Sequence, residues 1–375
     1  MTTLPSVYVV STLGSGSNEE ARIMALLARF QPQVIPFDRK AKWQGFKRIF
    51  KILWREQPAL VVMEGSGLAG GLALLAGRLL AGVPYVVSSG DAIGPWVGRQ
   101  VFWAGPLFGL YERILCRFAA GFIGWTPYLV GRAMTFGTKR GMTAAGYAPF
   151  PLAPDQREVR RKAVRDELKI PPDAIVFGLA GSLAWNRQVR YCYGLELVQA
   201  CLKTDRSDVH VVVVGDGDGR EIMGRLAGDL LGRRVHLPGR VPQDRVMDYL
   251  AAMDVASLPQ SQDAAGAFRY TTKVSEYISA GLPVVTSQIP MAYDLDCGYM
   301  WRMPGSPWDP AFVDSLARLM TTITKDELQQ KKTVVPPVLP DFDLPRQVER
   351  TTAFITDLLM DDRRTPLSPR HIPPL

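Results

Sequence analysis

Lys273 and Glu276 stand three residues apart in the run RYTTKVSEYISAGLPVVTS, near the start of a helical stretch that stops at Gly281 with Pro283 just beyond. That spacing puts an ammonium and a carboxylate on one helix face. A helix N-terminus offers free N–H groups to phosphate, and a carboxylate one turn further in can accept hydrogen bonds from sugar hydroxyls. The combination suits a nucleoside diphosphate, with its ribose on Glu276. Upstream, GLAGSLAWNR presents Arg187 after a small-residue turn through Gly181 and Ser182. A guanidinium grips phosphate oxygens through a rigid fork, whereas lysine acts as a point charge. Taken singly, Lys273 reads first as a surface cation on an ordinary helix, whereas the small-residue loop before Arg187 points it to phosphate and the place of Glu276 one turn before a glycine-terminated helix end points it to a ligand rather than to solvent. Their order along the chain gives them weight.

The N-terminal half carries weaker candidates. LGSGSNEE holds Gly14, Ser15 and Gly16 in a turn that lets a substrate approach the backbone, or simply links a strand to a helix. It looks partly like a dinucleotide fingerprint, but the third glycine position is Glu19, so the fingerprint fails. In VVSSGDAIGPW, Asp91 follows a strand end, where it could act as a base, orient a hydroxyl or cap the next helix. Arg39–Arg55, RKAKWQGFKRIFKILWR, has seven basic residues, no acid, and aromatics at helical spacing. It reads as a helix for an anionic membrane surface or as a core-facing helix with a solvated basic face. Ile93–Phe118 adds Trp96, Phe102, Trp103, Phe108 and Tyr111 around Gly105-Pro106. It is too interrupted to span a bilayer, and forms either an apolar lip beside an acceptor or buried core.

The elements that must position these residues alternate strand and helix. Strands are predicted at Val7–Val10, Gln33–Pro36, Ala59–Met63, Tyr85–Ser88 and Phe122–Ile123, with helices at Glu19–Phe30 and Gly65–Leu80. After a proline-rich break opening at Tyr147 and a charged lead-in helix, a second series follows at Ile175–Leu179, Val209–Val214, Val235–Leu237, Val255–Leu258 and Val284–Thr286. Such alternation implies parallel sheets covered on both faces. The expected fold is α/β, with two doubly wound Rossmann-like domains facing across a cleft. The expected N-terminal acceptor-binding domain is 1–150, and the nucleotide-sugar domain 151–344. A late helix at Leu344–Met360 returns to the first domain, and the tail from Arg363 is irregular. Loops and helix starts then lie at the carboxyl edges of the sheets, where open α/β folds bind ligands.

The 375 residues, 47% hydrophobic, suffice for two cores. Four cysteines lack CxxC spacing and no leader is visible, which suits a reducing, cytoplasmic setting and argues against a zinc site. The net charge of +8 is uneven: residues 1–155 hold 16 Lys/Arg against 8 Asp/Glu, and the remainder balances at 28 against 28. The excess points to an acidic partner for the N-terminal half, be it anionic lipid, nucleic acid or a phosphorylated substrate.

In this order the motifs resemble the donor-binding half of family-4 glycosyltransferases of the GT-B architecture, well over Ile175 to Thr286 and weakly over the N-terminal half. The resemblance implies sugar transfer from a nucleotide-diphosphate donor to a saccharide or lipid-linked acceptor, with retention, no metal and no cofactor. It implies no nucleic-acid partner, and it admits a peripheral position at the inner face of a membrane. It places the donor diphosphate on Gly181, Ser182, Arg187, Thr272 and Lys273, the base near Gly239, Arg240 and Val241, and the ribose on Glu276. Arg187 and Lys273 would stabilise the leaving group, with Asp91 beside Gly14, Ser15 and Gly16 on the acceptor side. The chain departs from the family at three points. Ser182 stands for a basic residue, Phe268 for the first carboxylate of a Glu-x7-Glu pair (Asp263 is the nearest substitute), and no histidine lies in the N-terminal half. Two competing classes remain open: an epimerase or dinucleotide oxidoreductase of the same architecture, and a non-catalytic binder of nucleotide sugar or lipid.

Overall fold

A computed structural model describes residues 5–364, which divide into two compact units. The first comprises residues 5–146, the short segment 268–270 and the described residues from 340 onward. Its strands are β1 (Val7–Ser11), β2 (Gln33–Val34), β3 (Leu60–Glu64), β4 (Tyr85–Ser89), β5 (Gly121–Gly124) and β6 (Gly141–Thr143). Its helices are α1 (Asn18–Leu26), α2 (Lys42–Glu56), α3 (Leu68–Ala81), α4 (Ile93–Gln100), α5 (Ala104–Phe118) and α6 (Pro127–Thr135). The strands pair in parallel in the order β2-β1-β3-β4-β5-β6. Runs such as LVVME and YVVSS are buried along their whole length, as strands covered on both faces must be. Glycines let helices close on them: a Cβ on Gly77 of α3 would lie 2.4 Å from Leu53 of α2, and one on Gly71 would meet the Tyr111 hydroxyl of α5 at 1.9 Å.

The second unit comprises residues 147–267 and 271–339. Its elements, in chain order, begin with α7 (Arg157–Glu167), β7 (Ile175–Ala180), α8 (Leu195–Cys201), β8 (Val209–Val214), α9 (Asp218–Ala227) and β9 (Val235–Gly239). They continue with α10 (Val246–Ala251), β10 (Val255–Leu258), α11 (Thr272–Ser279), β11 (Val284–Ser287), α12 (Met291–Asp294), β12 (Met300–Met303), α13 (Pro310–Thr322) and α14 (Lys325–Thr333). The sheet is again wholly parallel, in the order β12-β11-β10-β7-β8-β9. The chain then re-enters the first unit through α15 (Leu344–Arg364), which lays Ile355, Leu358 and Leu359 against Ile23, Leu26 and Leu27 of the α1 region.

Two Rossmann-like doubly wound units are thus present, as the alternation implied. Several details differ. The second strand is two exposed residues, Gln33 and Val34, rather than four; beyond them Ile35 N–H makes a further bond to the Val9 carbonyl at 2.8 Å. The break in Ile93–Phe118 falls at 101–103 instead of at Gly105-Pro106. Pro106 lies in the first turn of α5, where a missing N–H costs no helical bond. β6 and the elements from β12 to α14 were not foreseen. α15 runs on through Arg364, and the rest of the tail lies outside the described residues.

Candidate active site

In the second unit the strand order reverses between β7 and β10, so the loops leaving these neighbouring strands meet at the carboxyl edge of the sheet. Such a reversal is where open α/β sheets bind ligands. The loop after β10 leads into α11, and this brings Lys273 onto the end of β7. A Cβ on Gly181 would lie 3.0 Å from Lys273 Cε and 3.2 Å from Nζ, so the missing side chain makes room for the ammonium. The ammonium also stands 5.5 Å from the centre of the Tyr193 ring. Glu276 follows one turn later, partly buried. Burial raises its carboxyl pKa and the Lys273 charge pulls it back. No side chain caps the first turn of α11, where Thr272 stands. The hydroxyl of Thr271, just before it, is buried without a hydrogen-bond partner. Tyr277 is fully buried, and its hydroxyl donates to the Ser257 carbonyl of β10 at 2.9 Å.

Backbone contacts knit the β7, β8 and β9 loops together. Gly181 N–H donates to the Val214 carbonyl (2.9 Å), Leu183 N–H to Asp216 (3.0 Å) and Gly215 N–H to Gly239 (2.9 Å). A Cβ on Gly215 would strike the Gly181 carbonyl oxygen at 1.8 Å. Asp216 and Asp218 serve these loops: their carboxylates accept from Gly217 N–H and Trp185 N–H, at 3.0 and 2.6 Å. Ser182 accepts from Ala184 N–H at 3.4 Å. Arg187 projects from an exposed turn closed by paired Asn186 and Tyr191, and Arg240 is exposed beyond Gly239, with Val241 partly covered. The structure therefore brings Gly181, Lys273 and Glu276 to one place. It sets Arg187 on a neighbouring turn and Gly239–Val241 at the adjoining strand end.

Glu196 supports this edge and was missed. Its fully buried carboxylate accepts from Tyr191 Oη (2.7 Å), Ser257 Oγ (2.8 Å) and Gly194 N–H (3.0 Å), tying the Arg187 turn to β10. Burial raises its pKa against these bonds. An acid inside the otherwise apolar run GLELV was the available signal.

At the carboxyl edge of the first sheet, Gly14 and Gly16 adopt left-handed backbone, with φ of 109° and 77°. Ser15 is engaged with Phe37 through both its N–H and its Oγ, each bond at 3.0 Å. Asp91 does not cap α4. Its carboxylate pairs with Arg269 at 2.6 Å, and Arg269 belongs to the segment 268–270 that joins this unit. Phe268 itself packs into the first unit: its carbonyl accepts from Thr126 Oγ1 at 2.9 Å, and the Arg132 guanidinium lies over its ring at 5.5 Å. Asp263 shapes its own loop, where one of its oxygens accepts from Ser261 Oγ and from the N–H groups of Ala265 and Gly266. Sequence reasoning also missed Glu64 at the end of β3. It is buried between Arg22 (3.1 Å) and the Trp125 indole N–H (3.2 Å), and burial outweighs these partners to raise its pKa.

Residues 174–322 match a family model described as glycosyl transferases group 1, and residues 16–145 match a glycosyl transferase 4-like domain. Among solved structures the chain resembles Anabaena HepE in complex with UDP-glucose (15% identity, TM-score 0.67, covering 94% of this chain and 100% of that one). It also resembles a UDP-forming α,α-trehalose-phosphate synthase from Burkholderia vietnamiensis (12%, TM-score 0.61, covering 94% and 99%). A third likeness is to sucrose-phosphate synthase from Thermosynechococcus elongatus (14%, TM-score 0.62, covering 96% and 98%). At these identities the likeness speaks for the fold. Sequence comparison alone finds no curated relative.

Proposed function

Since the chain belongs to the family-4 glycosyltransferases of the GT-B architecture, both halves matching glycosyltransferase models, we propose that it moves a sugar from a nucleoside-diphosphate donor to an acceptor on the first unit, with retention. The observation that carries the reading is Lys273 seated on Gly181 at the strand-order reversal, with Glu276 one turn further along the same helix. The diphosphate lies against Lys273, the uncapped first turn of α11 and Arg187, and these positive groups stabilise the charge that grows on the leaving diphosphate. Glu276 receives the ribose hydroxyls, and Gly239, Arg240 and Val241 border the base. Cations and a helix terminus do this work without a metal or cofactor. Three of the similar solved structures, all of Anabaena HepE, are complexes with UDP or UDP-glucose, which makes uridine the first base to test. On the acceptor side Asp91 orients the incoming hydroxyl, and the acceptor is a saccharide or lipid-linked sugar met at a membrane surface.

A thermal-shift series against UDP, GDP, ADP and their sugars tests the reading. A ligand present at a hundred times its Kd stabilises the folded state by about 2.7 kcal/mol. UDP is expected to raise the melting point of the wild type and to have far less effect on Lys273→Ala. No shift with any nucleotide would refute the donor site. A second reading, a nucleotide-sugar binder without turnover, is favoured by Phe268 in place of a carboxylate and by the Asp91–Arg269 ion pair. Binding without donor consumption across a panel of acceptors would select it.

A further inference from the structure

About half of the exposed large apolar side chains among the described residues lie between Trp43 and Ile114, on α2, α3, α4, α5 and the 101–103 link. The extreme is the tip joining α4 to α5, where Phe102 is 89% and Trp103 70% exposed. Leu107, Leu110 and Ile114 continue from the tip as an exposed stripe along α5, at 60%, 57% and 40%. Water-facing side chains of this size normally scatter singly; a contiguous set marks a docking surface.

The hairpin that carries the tip is built to hold it out. Gly94 and Gly98 of α4 face Gly105 and Gly109 of α5. A Cβ on Gly94 would lie 2.9 Å from Gly109 Cα, and one on Gly98 would lie 3.2 Å from Gly105 Cα. Close helix contact through small residues at four-residue spacing is packing that does not depend on surrounding water. The buried Glu112 of α5 secures the base of the hairpin, accepting from the Gly94 N–H (3.4 Å) and from Arg132 (2.8 Å). The exposure of Phe102 and Trp103 is therefore imposed by a fixed scaffold.

The charge on the hairpin and on α2, which shares one core with α3 and α5, selects the occupant. α2 stacks Trp43, Phe46, Phe50 and Trp54 along one side, with successive ring centres 5.0 to 6.3 Å apart, and buries Ile49 and Leu53 on another. Its exposed cations include Lys47, Lys51 and Arg55, and its only acid is Glu56 at the last position. On α5, Arg113 and Arg117 are exposed, while the one acid, Glu112, is buried. Aromatic and aliphatic side chains bordered by cations match the interface of an anionic bilayer, where rings sit at the headgroup level and cations meet phosphate. Among the described residues no helix is long and apolar enough to cross a membrane.

We propose that the α4–α5 hairpin is a monotopic membrane wedge, its 101–103 tip inserted among the acyl chains of an anionic leaflet and the cations of α2 and α5 lying on the headgroups. α4 starts two residues after Asp91, so the wedge leaves directly from the candidate acceptor loop. Granting the glycosyltransferase reading above, the acceptor is then an amphiphile held in the leaflet by a hydrocarbon tail.

Flotation of the full-length chain with zwitterionic and anionic phospholipid vesicles, without donor, tests this apart from sugar transfer. The wild type is expected to float with anionic vesicles and much less with zwitterionic ones. Phe102→Ser/Trp103→Ser should weaken binding at least about tenfold while keeping the wild-type melting point and the UDP-induced shift. Lys47→Glu/Lys51→Glu should abolish the preference for anionic lipid. A wild type that ignores anionic vesicles, or a tip variant that binds as well as wild type, overturns the proposal. A wild-type dimer that the tip substitutions dissolve overturns it too, since a second copy would then cover the face. Vesicle binding in a chain that binds no nucleotide would refute the donor site and leave the wedge standing.

Discussion

Gly181 and Lys273 give the donor site its sharpest test. A methyl at position 181 meets the far end of a flexible lysine and touches the Tyr193 ring at an ordinary 3.7 Å, so Gly181→Ala should fold and melt like the wild type. Its cost falls on the ammonium, which must leave its seat. One charge-assisted hydrogen bond contributes about 1.5–3 kcal/mol, so UDP affinity should fall roughly ten- to hundredfold by calorimetry in either Gly181→Ala or Lys273→Ala. The double variant should be no weaker than Lys273→Ala alone, because both changes remove the same contact. Additive losses would mean that the glycine serves something else. Glu276 adds a pH signature. Burial raises its carboxyl pKa, so the proton arrives at a higher pH than on an unshifted glutamate. UDP affinity should weaken as solution becomes mildly acidic, and Glu276→Gln should bind more weakly throughout and lose that dependence.

At the scale of elements, one buried ion cluster ties α7, β10 and α14 together. Asp254 opens β10 from a nearly fully buried position. It pairs with Arg161 (2.9 Å), Arg165 (2.7 Å) and Lys332 (2.7 Å), and also accepts from the Val176 N–H (2.9 Å). Burial alone would raise its pKa, but the three cations outweigh it and hold the carboxyl below the ordinary value of 3.8. A group depressed in the folded state contributes stability above its unfolded pKa and loses it as pH falls through the folded one. The second unit should therefore lose melting temperature as pH drops below about 4. Asp254→Asn leaves three cations uncompensated and should cost about 3–5 kcal/mol at neutral pH, flattening the acid limb. Unchanged acid behaviour in that variant would sink the argument. The cluster also shows what could be read in advance. Both parallel sheets were legible because VVVV, LVVM and YVVS runs admit few other structures. The Lys273–Glu276 face was legible because a helix fixes the spacing. The partners of Asp254 were not, because they come from α7 and α14, 78 to 93 residues away, and no local pattern encodes such a meeting. Glu64 and Arg269 escaped for the same reason, as did the contact of Glu196 with Ser257, 61 residues on. Each looks like an ordinary polar residue until the sheet order places its partner beside it.

For the chain as a whole, order along the sequence and membership of a unit differ. The second unit carries its own parallel sheet, its own core and every residue assigned to the donor. The first unit is completed only when α15 returns and covers the α1 face. There Ile355, Leu358 and Leu359 are buried against Ile23, Leu26 and Leu27, while Phe354 and Leu358 fill the space above Gly121. Removing a single buried leucine or isoleucine side chain costs about 2–5 kcal/mol. Losing three such anchors together removes about 6–15 kcal/mol, as much as the about 5–15 kcal/mol by which a whole domain is stable. A chain ending at residue 339 should therefore keep one cooperative melting transition that UDP still raises, and lose the other. Calorimetry resolves the two outcomes. If both transitions survive truncation, α15 is a passive cover. If the UDP shift disappears with the first unit, the donor residues do not stand on the second unit alone, and the division of labour proposed between the units fails with them.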